Sequence, residues 1–151
     1  MDKALFSSKS DLWSTPQCFF DELNAEFQFD LDVCALPDNA KCKRFYTPDQ
    51  DGLKQMWDGT VWCNPPYGRT VGDWVKKAFD THARGGNTIV MLLPARTDTR
   101  WFHDFVYGRA EIRFVRGRLK FGDGKNSAPF PSMVVIYRTV PGGANVSTMD
   151  T

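Results

Sequence analysis

Thr60-Val61-Trp62-Cys63-Asn64-Pro65-Pro66-Tyr67-Gly68 is the stretch on which the fold turns. Its apolar opening, short and rich in β-formers, reads as a buried strand. Pro65 and Pro66 have no backbone N–H and a φ locked near about −65°, so the strand must stop at Asn64 and a stiff, extended corner must follow. Such a corner aims a side-chain amide (Asn64), a carbonyl oxygen (Pro65) and an aromatic ring (Tyr67) into one cleft. A flat base with an exocyclic amino group suits that set. The amide and carbonyl oxygens can each accept one amino hydrogen while the ring stacks on the base. Accepting both hydrogens draws the amino nitrogen out of conjugation and frees its lone pair for attack. The plain alternative is a rigid post-strand turn with a packing tyrosine.

Working outward, Val71, Trp74, Val75, Ala78 and Phe79 recur at helical spacing, and Gly85-Gly86-Asn87 ends that helix. Thr88-Ile89-Val90-Met91-Leu92-Leu93 is a near-continuous apolar run, the pattern of a strand covered on both faces. Two apolar strands with a helix between them make a βαβ unit, hence a parallel sheet with a right-handed crossover. Upstream, Phe29-Asp30-Leu31-Asp32-Val33-Cys34-Ala35 alternates and reads as a central strand. It ends on Asp32, and the carboxyl end of a strand is where an open α/β sheet binds its ligand. Residues 43–47 read as a short second strand and residues 48–53 as an acidic turn carrying Asp49 and Asp51. Thr15 and Pro16 read as the cap and first residue of a helix whose apolar face is Phe19, Phe20, Leu23 and Phe27. Downstream, residues 110–115 read as a strand that Arg116-Gly117-Arg118-Leu119-Lys120-Phe121 extends, with its charges on one face. Residues 122–129 read as a loop, and residues 133–137 as the last strand. Asp98 or Thr99 reads as a cap for a helix over residues 100–107, and His103 as a histidine without metal-ligand partners.

Asn64-Pro65-Pro66-Tyr67 is similar to the catalytic motif of amino-group methyltransferases. With Trp57 and Gly59 before it and Leu93-Pro94-Ala95-Arg96-Thr97-Asp98-Thr99 after it, the chain resembles the phage-type, Dam-like DNA N6-adenine methyltransferases over residues 13–138. The resemblance implies a minimal class I methyltransferase fold, Rossmann-like, with a mixed, mostly parallel sheet and helices on both faces. It implies S-adenosylmethionine as methyl donor, no metal, and adenine in double-stranded DNA, flipped out of the duplex, as acceptor. The catalytic residues it points to are Asn64, Pro65, Pro66 and Tyr67. Those it places by the cofactor are Thr15, Pro16, Asp32, Val33, Cys34, Ala35, Asp51 and Asn64. Asp32 would accept from the cofactor's amino group, and the loop after it departs from the family's usual Gly-x-Gly by running Ala35-Leu36-Pro37-Asp38-Asn39. DNA contacts fall to Arg96, Arg116, Arg118, Lys120 and Lys125. N4 of cytosine, an RNA adenine and a glutamine amide are other acceptors that fit the same corner. A catalytically silent DNA-binding phage accessory protein is the rival from another class, though no helix-turn-helix or zinc-finger signature supports it.

At 151 residues, 42% hydrophobic and 14% aromatic, the chain suits one domain with a real core. The expected layout is an N-terminal arm over residues 1–12, the methyltransferase domain over 13–138 and a flexible tail over 139–151. No run approaches the roughly 20 apolar residues needed to cross a bilayer, and Met1-Asp2-Lys3-Ala4 lacks the layout of a secretory signal. Cys18, Cys34, Cys42 and Cys63, spaced 16, 8 and 21 apart, fit neither a zinc knuckle nor a disulfide framework. Free thiols in the cytoplasm of a bacterial host, in a phage- or prophage-encoded protein, are the expectation. The net charge of +1 hides an asymmetry. Residues 1–68 carry six Lys/Arg against eleven Asp/Glu, net −5, while residues 69–138 carry thirteen against six, net +7. An acidic and a basic half suit a cationic small molecule and a polyanion. No insertion is large enough for a separate recognition domain, which leaves short loops, or a second copy in a homodimer, to read the target.

Overall fold

The computed structural model describes residues 14–122, 127–139 and 144–151. The expected arm over residues 1–12 and the candidate DNA contact Lys125 lie outside the described residues. One seven-stranded sheet runs through the protein in the order β2-β1-β3-β4-β6-β5-β7. Its strands are β1 (Leu31–Asp32), β2 (Arg44–Phe45), β3 (Val61–Cys63), β4 (Ile89–Pro94), β5 (Glu111–Arg116), β6 (Ser132–Tyr137) and β7 (Val146–Asp150). β6 is antiparallel to both β4 and β5, and every other neighbouring pair is parallel. The carboxyl ends of β1 to β5 and β7 therefore share one rim, and β6 begins there.

Helix α1 (Gln17–Phe27) covers one face and helix α2 (Val71–Gly85) the other. Strand alternation sorts the core between them. Val61, Cys63, Ile89, Met91 and Leu93 face α2 and pack with Trp74, Val75 and Ala78. Trp62, Val90, Leu92, Val134 and Ile136 face α1 and meet Phe19, Phe20 and Leu23. Burying side chains on both sides is what makes β4 read as an unbroken apolar run. The expected β3-α2-β4 unit forms, with Val61 in register with Ile89 and Cys63 with Met91. α2 ends on Gly86 at φ 72, as its Gly-Gly-Asn signal implies.

α1 runs antiparallel to the parallel strands. Its last turn is clamped at the opposite end of the sheet from the rim, where both guanidinium N–H groups of Arg113 donate to Glu26 at 2.8 and 2.7 Å. Arg113 and Arg138 also lie over the ring of Phe27. The first turn of α1 is thereby held at the carboxyl rim.

Four expectations change. The cap of α1 is Pro16, with no side-chain cap hydrogen bond, so Thr15 is one residue outside the helix and its hydroxyl is used elsewhere. β5 ends at Arg116, because Gly117 at φ 79 turns the chain out of the ladder. Arg118-Leu119-Lys120-Phe121 keeps its alternation off the sheet, burying Leu119 and Phe121 beside α1. Residues 146–150, expected in a flexible tail, form edge strand β7 in parallel register with β5. The helix after β4 is a π-turn over Phe102–Val106, and Thr99 rather than Asp98 accepts its Phe102 N–H.

Candidate active site

Asn64 leaves β3 at the rim; Pro65 is buried, Pro66 exposed and Tyr67 half-buried. Both flanks of this corner are braced. Asn64 Nδ2 donates to Thr15 Oγ1 at 3.0 Å, tying the corner to the start of α1. Tyr67 donates its hydroxyl to the Leu92 carbonyl at 3.0 Å, tying it to β4. Burial pushes the Tyr67 phenol well above its ordinary pKa, so the hydroxyl stays a donor. Around the ring stand Phe130 and Phe121, in edge contacts at 5.3 and 6.4 Å between centroids. The Tyr67 hydroxyl thus fixes the ring among these aromatics.

On the β1–β2 side the rim carries the carboxylates of Asp32 and Asp51, with Lys41 and Lys54 beside them. Asp32 is 2% exposed, and its two oxygens accept the N–H groups of Cys34 at 3.2 Å and Lys41 at 3.0 Å. Desolvation raises its pKa from 3.8 to about 6, against the lowering effect of those two hydrogen bonds. The carboxylate therefore ties down the loop after β1 at two points. The N–H groups of Val33 and Ala35 are also used internally, on the carbonyls of Trp62 and Tyr46. Asp51, at φ 55, caps a short 3-10 turn (Gly52–Lys54) by accepting the Leu53 N–H. Gly52 brings that turn against β1 so closely that a Cβ on it would meet the Val33 carbonyl oxygen at 2.2 Å.

The loop after β1 is stitched to the start of α1. Asn39 accepts the Leu36 N–H and donates to Ser14 Oγ at 3.0 Å, while Lys41 Nζ donates to Gln17 Oε1 at 2.9 Å. Asn39, Ser14 and Gly52 are contributors the sequence reading passed over. The Asp51-Gly52 dipeptide was a usable signal for a close backbone approach. Asn39 and Ser14 gave none, since each is defined by a partner 25 residues away.

On the β3–β5 side the rim is basic. Arg96 follows β4 and is exposed; Arg118 and Lys120 follow β5 and are exposed. Arg118 donates to the Ala128 carbonyl at 3.3 Å, and Arg116 lies 3.7 Å from Asp150. Arg69 and Arg100, exposed in the loops after β3 and β4, join the same rim and were not singled out from the sequence. A shallow cavity of about 190 Å³ opens between Pro16, Cys18 and Phe19 of α1 and Arg118, Leu119 and Lys120. His103 is hydrogen-bonded to the Thr97 carbonyl. Among the described residues no cluster of His, Cys, Asp and Glu is arranged to hold a metal ion, and no helix is long and apolar enough to cross a membrane.

A mostly parallel sheet with one reversed strand between β4 and β5, wrapped by helices on both faces, defines a class I methyltransferase fold. A family model described as DNA N-6-adenine-methyltransferase (Dam) matches residues 3–150, and the chain belongs to that family. The DNA N-6-adenine-methyltransferase of Haemophilus phage HP1 is 34% identical over 139 residues, covering 86% of this chain and 80% of the relative. That of Escherichia phage T1 is 38% identical over 112 residues, covering 72% of this chain and 46% of the longer relative. A crystal structure of a predicted O-methyltransferase from Agrobacterium tumefaciens aligns with 76% of this chain and 57% of its own, at 19% identity and a TM-score of 0.39.

Proposed function

We propose that this protein transfers the methyl group of S-adenosylmethionine to the N6 amino group of adenine in DNA. The observation that carries this reading is the braced Asn64–Tyr67 corner at the carboxyl rim, in a chain of the Dam family. The residues around β1 fit the cofactor by their chemistry. Asp32 is ionised at neutral pH and supplies negative charge for a cationic ligand. Asp51, Val33, Cys34 and Ala35 line its neighbourhood, while Thr15, expected among the cofactor contacts, is buried and its hydroxyl accepts from Asn64. When bound, the cofactor supplies an electrophilic methyl group on a positively charged sulfur.

The target adenine leaves the duplex, since Asn64 and Tyr67 cannot reach a stacked amino group. Tyr67 presents its ring to the extruded base. Asn64 Oδ1 and the Pro65 carbonyl accept the two amino hydrogens, which localises the lone pair on N6 for in-line attack. After transfer the nitrogen is acidic and loses its proton to water, so no dedicated base is required of the chain. Arg96, Arg116, Arg118 and Lys120, with Arg69 and Arg100 added, contact DNA phosphates from the basic half of the rim.

The test is to incubate the purified protein with unmethylated DNA and methyl-labelled S-adenosylmethionine, digest to nucleosides and identify the labelled one. N6-methyladenine is expected. Label in N4-methylcytosine would keep the corner's chemistry and change the base. Label only in RNA or protein would overturn the substrate, and no cofactor binding at all would leave a silent DNA-binding protein.

A further inference from the structure

We infer that Thr15 is the positioning residue that holds the Asn64 amide in its reactive orientation, by supplying the acceptor for the end of the amide that faces away from the substrate. The inference rests on the reading of Asn64 as acceptor for the target amino group. A carboxamide has two ends of nearly equal size and opposite hydrogen-bonding sense. With Oδ1 toward the amino group, Nδ2 must point into the protein, and a buried N–H without an acceptor is costly. The structure supplies an acceptor there. Thr15 Oγ1 lies 3.0 Å from Asn64 Nδ2, in a residue 5% exposed and 49 positions away in sequence.

Thr15 is well placed to resist displacement. It precedes α1, whose far end is clamped by the Glu26–Arg113 pair and whose side is buried through Phe19, Phe20 and Leu23. Its neighbour Ser14 receives Asn39 Nδ2 through the side chain and the Gly122 N–H through its carbonyl. Gln17, two residues on, receives Lys41 Nζ. A threonine in the capping position would have turned its hydroxyl into the helix; here Pro16 takes that place and the hydroxyl is left for Asn64. In the productive complex Oδ1 is committed to the amino hydrogen, so the Thr15 hydroxyl must act as acceptor. Removing it takes from that orientation the hydrogen bond that Thr15 supplies to Nδ2.

The test compares Thr15→Val, which keeps shape and loses the acceptor, with Thr15→Ser, which keeps it. Thr15→Val is expected to lose about 10- to 100-fold in kcat, the effect of stranding one buried amide N–H. Cofactor affinity should change less than about threefold, and Thr15→Ser should recover most of the loss. Alongside, the Asn64 side-chain NH2 signals in a nitrogen–proton correlation spectrum, assigned by their disappearance in Asn64→Asp, report the contact without any turnover. They should shift in Thr15→Val and stay near their wild-type positions in Thr15→Ser. Unmoved Asn64 signals in Thr15→Val would overturn the inference whether or not the wild type methylates adenine. Moved signals with normal kcat and weakened cofactor binding would also overturn it, making Thr15 a cofactor contact. Failure of the functional reading is read separately, as absence of label in the nucleosides with the wild-type protein.

Discussion

At the scale of single residues, the two polar ends of the corner have different work. The Tyr67 hydroxyl is spent on the Leu92 carbonyl, so Tyr67→Phe should cost about 1 kcal/mol of stability and keep activity within about tenfold. Tyr67→Ala and Asn64→Ala should abolish transfer while leaving cofactor affinity largely intact, as filter-binding and dialysis assays would show; a large loss of affinity in both would merge roles separated here. Asp32 carries a pH signature. Its folded pKa is raised to about 6 from 3.8, so its titration favours the folded state fully below 3.8, and that contribution is lost as pH rises through about 6. A cationic ligand reverses the preference, because it wants the ionised form. Affinity for S-adenosylmethionine should therefore fall between pH 7.5 and pH 5, and equilibrium dialysis showing a flat response would remove Asp32 from the cofactor site.

At the scale of elements, Gly52 shows how a turn can be held against a strand end. A Cβ there would lie 2.2 Å from the Val33 carbonyl, so Gly52→Ala must lift the turn bearing Asp51 away from β1. A loss of about 1 to 3 kcal/mol is expected by analogy with overpacking, together with weaker cofactor binding. An unchanged melting temperature and cofactor titration would mean that the approach has no consequence. This turn, like β3, α2 and β4, was legible because its signal is local: a period, a proline pair, an Asp-Gly. The elements that misread share the opposite property. Residues 118–121 alternate as a strand does, but alternation cannot say whether a ladder partner exists, and Gly117 decides that it does not. Residues 146–150 mix apolar and polar residues and all but Met149 are exposed, so their pairing with β5, more than 30 residues upstream, left little trace in composition. Thr15 carried a genuine capping signal, outweighed by a partner 49 residues away.

At the scale of the whole molecule, the charge asymmetry of the sequence becomes a divided rim. The buried Asp32 and the Asp51 turn lie at the ends of β1 and β2, while Arg69, Arg96, Arg100, Arg118 and Lys120 are exposed beyond β3, β4 and β5. On the function proposed above, a small cation is drawn to one side and a polyanion to the other, with the Asn64–Tyr67 corner between them. Cations that touch phosphates release counterions, and each contributes about 0.9 to the slope of log affinity against log salt. Replacing Arg96, Arg100 and Lys120 together by alanine should therefore lower that slope by about 2 to 3. It should weaken binding to different DNA sequences alike, because phosphate contacts carry no base information. Lys76 and Arg84 supply the control, since both are exposed on α2, away from the rim loops. Removing them should leave the slope unchanged, and S-adenosylmethionine affinity should be unaffected in either set. Equal slopes for the rim and α2 variants would mean that the DNA lies across a surface other than this rim. The corner would then be facing something other than a base held out from the duplex.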